Sequence, residues 1–412
     1  MRWKMLPYNP HITFLVCIVA LSVALSIWLL AGYPVATEHV YLTWQGDTSR
    51  TVTVNFHTLD AAVEPIVYYD TSPRNGRADT YAQRAVGSKH QIEGLKDGRW
   101  VHHVELQGLT PNQRYYFTTD AAKNSNKEWS FVTLPEDDSP LRFVTGGDMG
   151  IRPSAERLLE IAATFQPQFA VVGGDFAYEN GDLKQVGKWD IWLERWEKHM
   201  RSPQGDLIPL IGIVGNHEVN KKPGPYEVRS PFFMGFCAQG GSPYFTRTLG
   251  ANLVLFALDS GHLVRHDGPQ TEWLAAQLEN FKNKTWKIAV YHVPLYPSHR
   301  PFDGGLSVAG RTYWLPLFDQ YKLDIAFENH DHTFKRSKPL RNNAVQADGT
   351  IYLGDGCFGV PPRTVEPERW YLEKAESRQH FWVVNVSKEK LVCEAVDVEG
   401  KVFDRVERTR QQ

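Results

Sequence analysis

The sequence predicts two architectures in one chain: a small antiparallel β-sandwich, then a larger α/β domain whose sheets are covered by helices. Three observations carry this. From Val40 to Thr133 short alternating strands recur between turn residues. From Leu141 onward apolar strands alternate with helix-length segments. Between the two, PEDDSP at residues 135–140 is a polar, proline-bounded linker. A length of 412 residues also exceeds what one core ordinarily serves.

Taken in order, the chain divides into residues 1–36, 37–134, 135–140 and 141–412. The first part holds ITFLVCIVALSVALSIWLLA, Ile12 to Ala31, a charge-free run long enough to span a bilayer as a helix. Arg2 and Lys4 precede it and Glu38 follows it, so the body is expected on the far side of a membrane, secreted, periplasmic or at the cell surface. The run reads as an N-terminal anchor, with a cleaved signal peptide as the alternative. In residues 37–134 the strands VYLTWQG, TVTVNFHT, PIVYYD, HHVELQGLTPNQRYYFTTD and KEWSFVTL are separated by Gly46-Asp47, Asn75-Gly76, Asp97-Gly98 and Pro111-Asn112. The stretch LQGLTPNQRYYF resembles the fibronectin type III pattern.

In residues 141–412 the strands LRFVTGGD, QFAVVGGD, LIPLIGIVGNH, NLVLFALDS, KIAVYHVP and LDIAFENHDH are apolar on both faces, which requires helices above and below. Leu158, Leu159, Ile161, Ala162 and Phe165 mark the apolar side of a first helix, and others are expected at about 186–200, 270–282 and 311–321. FWVVNV and LVCEAVDV return to strands. A charge of −2 with no long basic stretch argues against nucleic-acid binding. Cys17, Cys237, Cys357 and Cys393 form neither a disulfide framework nor a zinc motif, and at most one bridge is possible outside the apolar segment. Sequons at Asn283 and Asn385 are near chance frequency.

The chemistry collects at the carboxyl ends of the strands, the ligand-binding edge of such sheets. One strand ends in Asp148 and the next in Asp175, with Tyr178 three places on. Others end in Asn216-His217-Glu218, in His292, and in His330 and His332. Singly, each has an ordinary explanation: a strand-end aspartate caps a helix, a GNH makes a tight turn, a tyrosine packs. Five consecutive strand ends of one domain do not all coincide by chance. Asp148, Asp175, Tyr178, Asn216, His292, His330 and His332 are oxygen or nitrogen donors without a thiolate, suited to two hard-to-borderline ions such as iron, manganese or zinc.

The ordered set GD-x-G, GD-x-x-Y, GNH-E, a strand ending in His292 and NHDH resembles the five motifs of the purple acid phosphatases, within the calcineurin-like metallophosphoesterases. The likeness runs over about residues 40–400 and includes the β-sandwich, the TEWLAAQLENF helix and the IYLGDG strand. It implies a four-layer α/β/β/α catalytic domain behind the sandwich. It implies one ion at Asp148, Asp175, Tyr178 and His332, and a second at Asp175, Asn216, His292 and His330, with Asp175 bridging by one oxygen to each. Two positions depart from the pattern: Ala289 stands for a usual valine, and Asn329 for the glycine of GHxH. Asparagine is the non-glycine residue best able to supply a positive φ there.

In the wider superfamily the first motif carries a histidine where Gly150 stands, and Tyr178 supplies the replacement donor. A phenol with a pKa near 10 ionises at neutral pH only against a strong Lewis acid, so the resemblance implies Fe(3+) at the Tyr178 site and Fe, Zn or Mn as the second, divalent ion. Two such ions neutralise a phosphate, orient it and acidify a bound water. His217 and His299 are the candidates for protonating the leaving alkoxide, and Glu218 for supporting the ligands from behind. His262, Arg265, His266 and Arg300 are further possible substrate contacts. Trp189, Trp192 and Trp196, at helical spacing, read as packing. The expected activity is hydrolysis of phosphate monoesters of small molecules or nucleotides. The alternatives are a phosphodiesterase using the same site and a non-catalytic surface binding protein.

Overall fold

In the computed structural model, residues 39–410 are described. The apolar run Ile12–Ala31 and Cys17 lie outside them. Among the described residues no helix is long and apolar enough to cross a membrane.

Two four-stranded antiparallel sheets form the sandwich. One orders Val40–Thr43, Val52–Thr58, Trp100–Leu106 and Ser88–His90; the other orders Gln83–Val86, Ile66–Asp70, Arg114–Thr119 and Trp129–Val132. Strand alternation sends Val52, Val54 and Phe56 inward to meet Val67, Tyr115 and Phe117. The other face of Val52–Thr58 carries Thr53, Asn55 and His57, yet it too is buried. It packs against the catalytic half, and polar contacts satisfy it: Tyr41 Oη donates to Phe236 O at 2.9 Å and also contacts His57 Nε2. Arg99, 1% exposed, makes a two-pronged pair with Asp190 at 2.7 and 2.9 Å. Removing one partner of such a buried pair strands a charge, at a cost of about 3–5 kcal/mol.

The catalytic half is four layers. A six-stranded sheet orders Leu210–Gly212, Phe169–Val172, Leu141–Gly146, His380–Val386, Lys390–Asp397 and Val402–Thr409. A seven-stranded sheet orders Phe245–Leu249, Leu253–Ala257, Trp286–Val290, Ile325–Phe327, Ile351–Gly354, Phe334–Ser337 and Leu372–Glu376. Period-two alternation builds the layers. Phe143, Phe169, Val171, Leu253, Leu255 and Ile288 fill the space between the sheets. Val144, Ala170 and Val172 instead meet the helices Pro153–Thr164 and Val186–His199. Val254, Phe256 and Ala289 meet Pro269–Asn280 and Leu315–Tyr321. Trp189, Trp192 and Trp196 are buried here, with the last two stacked at 5.1 Å, so they pack as expected.

Two details differ from expectation. The helix expected at 311–321 is two, Gly305–Tyr313 and Leu315–Tyr321, because Pro316 has no N–H to continue the first. The closing strand Val402–Thr409 was not anticipated: VFDRVERT reads as polar because an edge strand keeps much of its surface in water. Cys237, Cys357 and Cys393 are all free and buried, which agrees with the lack of a disulfide framework in the sequence.

His102 lies buried in the sandwich, its ring stacked 4.3 Å from Phe56 and both nitrogens without a partner among the described residues. Burial, with Lys89 adding to it, pushes its imidazole down to about 4. The unfolded chain therefore binds a proton, near the reference value of about 6.5, that the folded chain refuses. Its contribution is intact above about pH 6.5 and is lost as pH falls toward about 4. Denaturant melts across that window should show His102→Leu with a shallower loss of stability than wild type, by up to about 1.4 kcal/mol per pH unit. Equal slopes would refute the assignment.

Candidate metal centre

Strands from both sheets deliver their carboxyl ends to one crevice. In the first sheet Leu141–Gly146, Phe169–Val172 and Leu210–Gly212 run parallel and lead into Asp148, Asp175 and Asn216. In the second, Trp286–Val290 and Ile325–Phe327 run parallel and lead into His292, His330 and His332. The seven predicted donors meet there in two groups.

In the first group Asp148 Oδ1 lies 2.9 Å from His332 Nε2 and 3.1 Å from Tyr178 Oη, and Tyr178 Oη lies 3.2 Å from His332 Nε2. In the second, His292 Nε2 is 3.1 Å from Asn216 Oδ1, 3.1 Å from His330 Nδ1 and 3.3 Å from Asp175 Oδ2. Asp175 belongs to both: one donor atom each from Asp148, Asp175 and His332, and from Asp175, His292 and His330, lie within 4.8 Å of one another.

These contacts fit cations better than hydrogen bonds. His292 Nδ1 faces the carbonyl of Gly173 at 2.9 Å and must donate to it, so neutral His292 presents a bare Nε2 to two oxygens, Asn216 Oδ1 and Asp175 Oδ2, that cannot donate to it. Asp175 Oδ2 is buried with no hydrogen-bond donor among the described residues. Burial opposes a charge on His292, but Asp175 and Asp148 outweigh it and push the imidazole up to about 10. The crevice calls for positive charge at this point.

The carboxylates are held from behind. Asp148 Oδ2 accepts from His330 N at 2.8 Å, which leaves Oδ1 for the donor group. Asp175 Oδ1 accepts from His217 N at 2.8 Å. Oδ2 of Asp175 is left without a backbone donor, while Oδ1 keeps a second lone pair. Glu218, fully buried, accepts from Asp175 N, Phe176 N and Gly215 N at 2.7–2.8 Å and so fixes the turn beneath the site. Burial, then Asp175 and Glu179, hold its carboxyl well above the usual range.

Asn329 is a correction. The residues with positive φ are its neighbours His330, at 77°, and His332, at 56°. Its side chain instead donates to Tyr291 O at 2.9 Å and lies against the two GGD turns. A Cβ on Gly173 would stand 2.1 Å from Nδ2 of Asn329, and one on Gly147 2.6 Å from its Oδ1. The doubled glycines make room for the asparagine.

The remaining candidates separate. His217 packs its ring 4.3 Å from Tyr178, has Nε2 3.9 Å from Asp175 Oδ2, and is tied through Nδ1 to Asn180 Oδ1. His299 is not brought into hydrogen bonding with the seven donors: its Nδ1 donates to Thr364 O at 2.8 Å on the rim. His262 lies 5.7 Å from His292, ring to ring, with Nε2 buried and unpartnered among the described residues. His266 packs on Trp314 at 4.3 Å, and exposed Arg265 pairs with Asp267, so neither is in the site. Sequence reasoning missed a buried support: Lys335 pairs with Glu328 and, at 2.8 Å, with Asp355, all three 0% exposed on their side chains. Glu328 also accepts from Tyr291 Oη at 2.7 Å. The signal was a Glu one place before NHDH and a Lys three places after it.

If Asn329 is what Gly173 accommodates, Gly173→Ala should cost about 1–3 kcal/mol by overpacking, and distinctly less in an Asn329→Gly background. A double-mutant cycle on thermal melts reads the coupling; simple additivity would contradict it.

Residues 37–133 match the family described as Purple acid Phosphatase, N-terminal domain, and residues 141–334 match Calcineurin-like phosphoesterase. An uncharacterized Mycobacterium tuberculosis protein is 26% identical over 364 residues, covering 77% of this chain and 65% of its own length. Purple acid phosphatase 1 of Ipomoea batatas is 27% identical over 378 residues, covering 83% of this chain and 76% of that protein. The structure of purple acid phosphatase PPD1 from yellow lupin (Lupinus luteus) seeds superposes with a TM-score of 0.75 at 20% identity, covering 92% of this chain and 75% of that one. The two domain matches, in the order the motifs predict, show that the chain belongs to the purple acid phosphatase family of calcineurin-like phosphoesterases.

Proposed function

We propose that the chain is a metal-dependent acid phosphatase that hydrolyses phosphate monoesters. The observation that carries this is the pair of donor groups joined at Asp175, whose Oδ2 has no other partner among the described residues. Asp148, Asp175, Tyr178 and His332 would hold one ion, and Asp175, Asn216, His292 and His330 the other. Burial first, then Asp148 and Asp175, drive the Tyr178 phenol far above its ordinary value. Only a strong Lewis acid would ionise it, which supports Fe(3+) there and Fe, Zn or Mn at the second position. When bound, such a pair of ions supplies charge neutralisation for the phosphate and lowers the pKa of coordinated water.

The chain's own residues do the rest. Backbone N–H groups of His330 and His217 hold Asp148 and Asp175 in place before substrate arrives. Burial pushes His217 down, although Asp175 opposes it. With Nδ1 donating to Asn180 Oδ1, Nε2 carries the proton for the departing alkoxide in the imidazolium form, which exists on the acid side. His299 is the second proton donor on this reading, oriented by Thr364 O. The diester alternative would use the same two donor groups. A non-catalytic role is disfavoured by the presence of all seven donors.

Metal-loaded protein should hydrolyse p-nitrophenyl phosphate faster than bis-p-nitrophenyl phosphate, with an optimum below neutrality; the reverse preference would favour the diesterase. Asp175→Asn should lose metal and more than about 100-fold of the activity. A visible phenolate–iron(III) band should disappear in Tyr178→Phe, and a colourless active enzyme would exclude ferric iron. The charges flanking Ile12–Ala31 support an extracytoplasmic body. Protease added to intact expressing cells or spheroplasts should degrade or release it, and full protection would refute that placement.

A further inference from the structure

A loop outside the five motifs crosses both groups of strand ends. After Ile351–Gly354, Phe358 N donates to Gly147 O at 3.1 Å, and Gly359 N and Val360 N donate to Asp148 O at 3.2 Å. The loop then reaches the second sheet, where Arg363 N donates to His332 O at 2.9 Å and Glu366 N to Ser298 O at 2.9 Å. Arg363 is thus fixed on the rim, half-buried, between the metal-centre loops and the segment carrying His299.

Two guanidinium groups converge there. Nη1 of Arg363 and Nη2 of Arg300 each lie 3.4 Å from the carbonyl of His330. Both contacts are longer than the roughly 2.7–3.2 Å of a good N–H···O bond. Arg300 has Asp331 Oδ1 at 3.3 Å, while the other oxygen of Asp331 accepts from the backbone of residues 298–300. Arg363 has no carboxylate at ion-pair distance among the described residues. A guanidinium is permanently charged, with five donors in a fork that matches phosphate oxygens. Two of them at one carbonyl repel each other, and together they suit an anion.

We propose that Arg363 and Arg300 form an anion subsite beside the metal centre that receives the second phosphate of a diphosphate substrate, such as a nucleoside diphosphate. The subsite rests on the phosphatase reading above. It is assigned to the phosphate that is not transferred because the two residues meet His330 at its carbonyl, whereas the ring nitrogen of His330 is what faces the other donors. In the reaction, the oxygen of water bonds to the terminal phosphorus and the bond from that phosphorus to the bridging oxygen breaks. The electron pair stays on the bridging oxygen. The products are a nucleoside monophosphate, inorganic phosphate and the proton from water.

The test uses the metal-loaded full chain with adenosine diphosphate and p-nitrophenyl phosphate, and calorimetry with methylenediphosphonate. Arg363→Gln should lower the ratio of kcat/KM for the diphosphate over the monoester by about tenfold, as expected for a charge-assisted hydrogen bond. Adding Arg300→Gln should lower it further, and Arg363→Lys should restore part. The dissociation constant of methylenediphosphonate should weaken in parallel, and that of inorganic phosphate less. If wild type hydrolyses the monoester but Arg363→Gln leaves the ratio unmoved, the subsite is wrong and the phosphatase reading stands. If wild type hydrolyses neither, that reading fails and binding decides: methylenediphosphonate affinity untouched by Arg363→Gln overturns the subsite.

Discussion

Five of the seven proposed donors stand on backbone that side-chain-bearing residues seldom adopt, and the site depends on holding them there. Asp148, Asp175, Tyr178, His330 and His332 have φ of 56°, 56°, 61°, 77° and 56°. Each such residue costs about 1–2 kcal/mol relative to ordinary backbone. What holds them is a set of bonds between loops. Asp148 N donates to Gly174 O at 2.9 Å, Met149 N to Asp175 O at 3.0 Å and Asn329 N to His292 O at 2.9 Å. The strand-end turns thus brace one another in addition to being anchored in their sheets. Left-handed turns swing successive donors back over the crevice where an extended chain would carry them away.

The same logic explains the layer beneath. Loops leave N–H groups pointing inward without a strand partner, and buried carboxylates collect them: Glu218 takes three, and Asp331 takes those of residues 298–300. Buried carboxylates in turn need positive partners or shared protons. Lys335 serves Glu328 and Asp355, and the Arg99–Asp190 pair does comparable work where the sandwich meets the catalytic half. Removing one member of either set would leave an unpaired charge in the interior, so these polar clusters constrain geometry more strongly than the apolar packing around them.

Much of the fold was legible because alternation and apolar strand length are local properties. Val254 and Leu255 are neighbours in sequence, yet they enter different cores, on opposite faces of one sheet. That pattern can be read directly. The break at Trp314 was legible in hindsight from Pro316. The edge strand Val402–Thr409 was not, because half-exposed alternation resembles a polar loop. Asn329 was misjudged for a different reason. Its substitution for glycine suggested backbone conformation, whereas the space it occupies is set by Gly147 and Gly173, which lie far away in sequence.

By itself the sequence determined the order of the two architectures, the seven donor types and the strand ends that carry them, since motif and periodicity are written within short windows. Tertiary structure alone decided which oxygen of Asp175 is left without a backbone donor, how near each histidine stands to the donors, and that Lys335 and Arg363 belong to the neighbourhood at all. Those are distances between segments brought together from the whole catalytic half. They follow from how two sheets pack and how their loops cross, which no single stretch of sequence encodes.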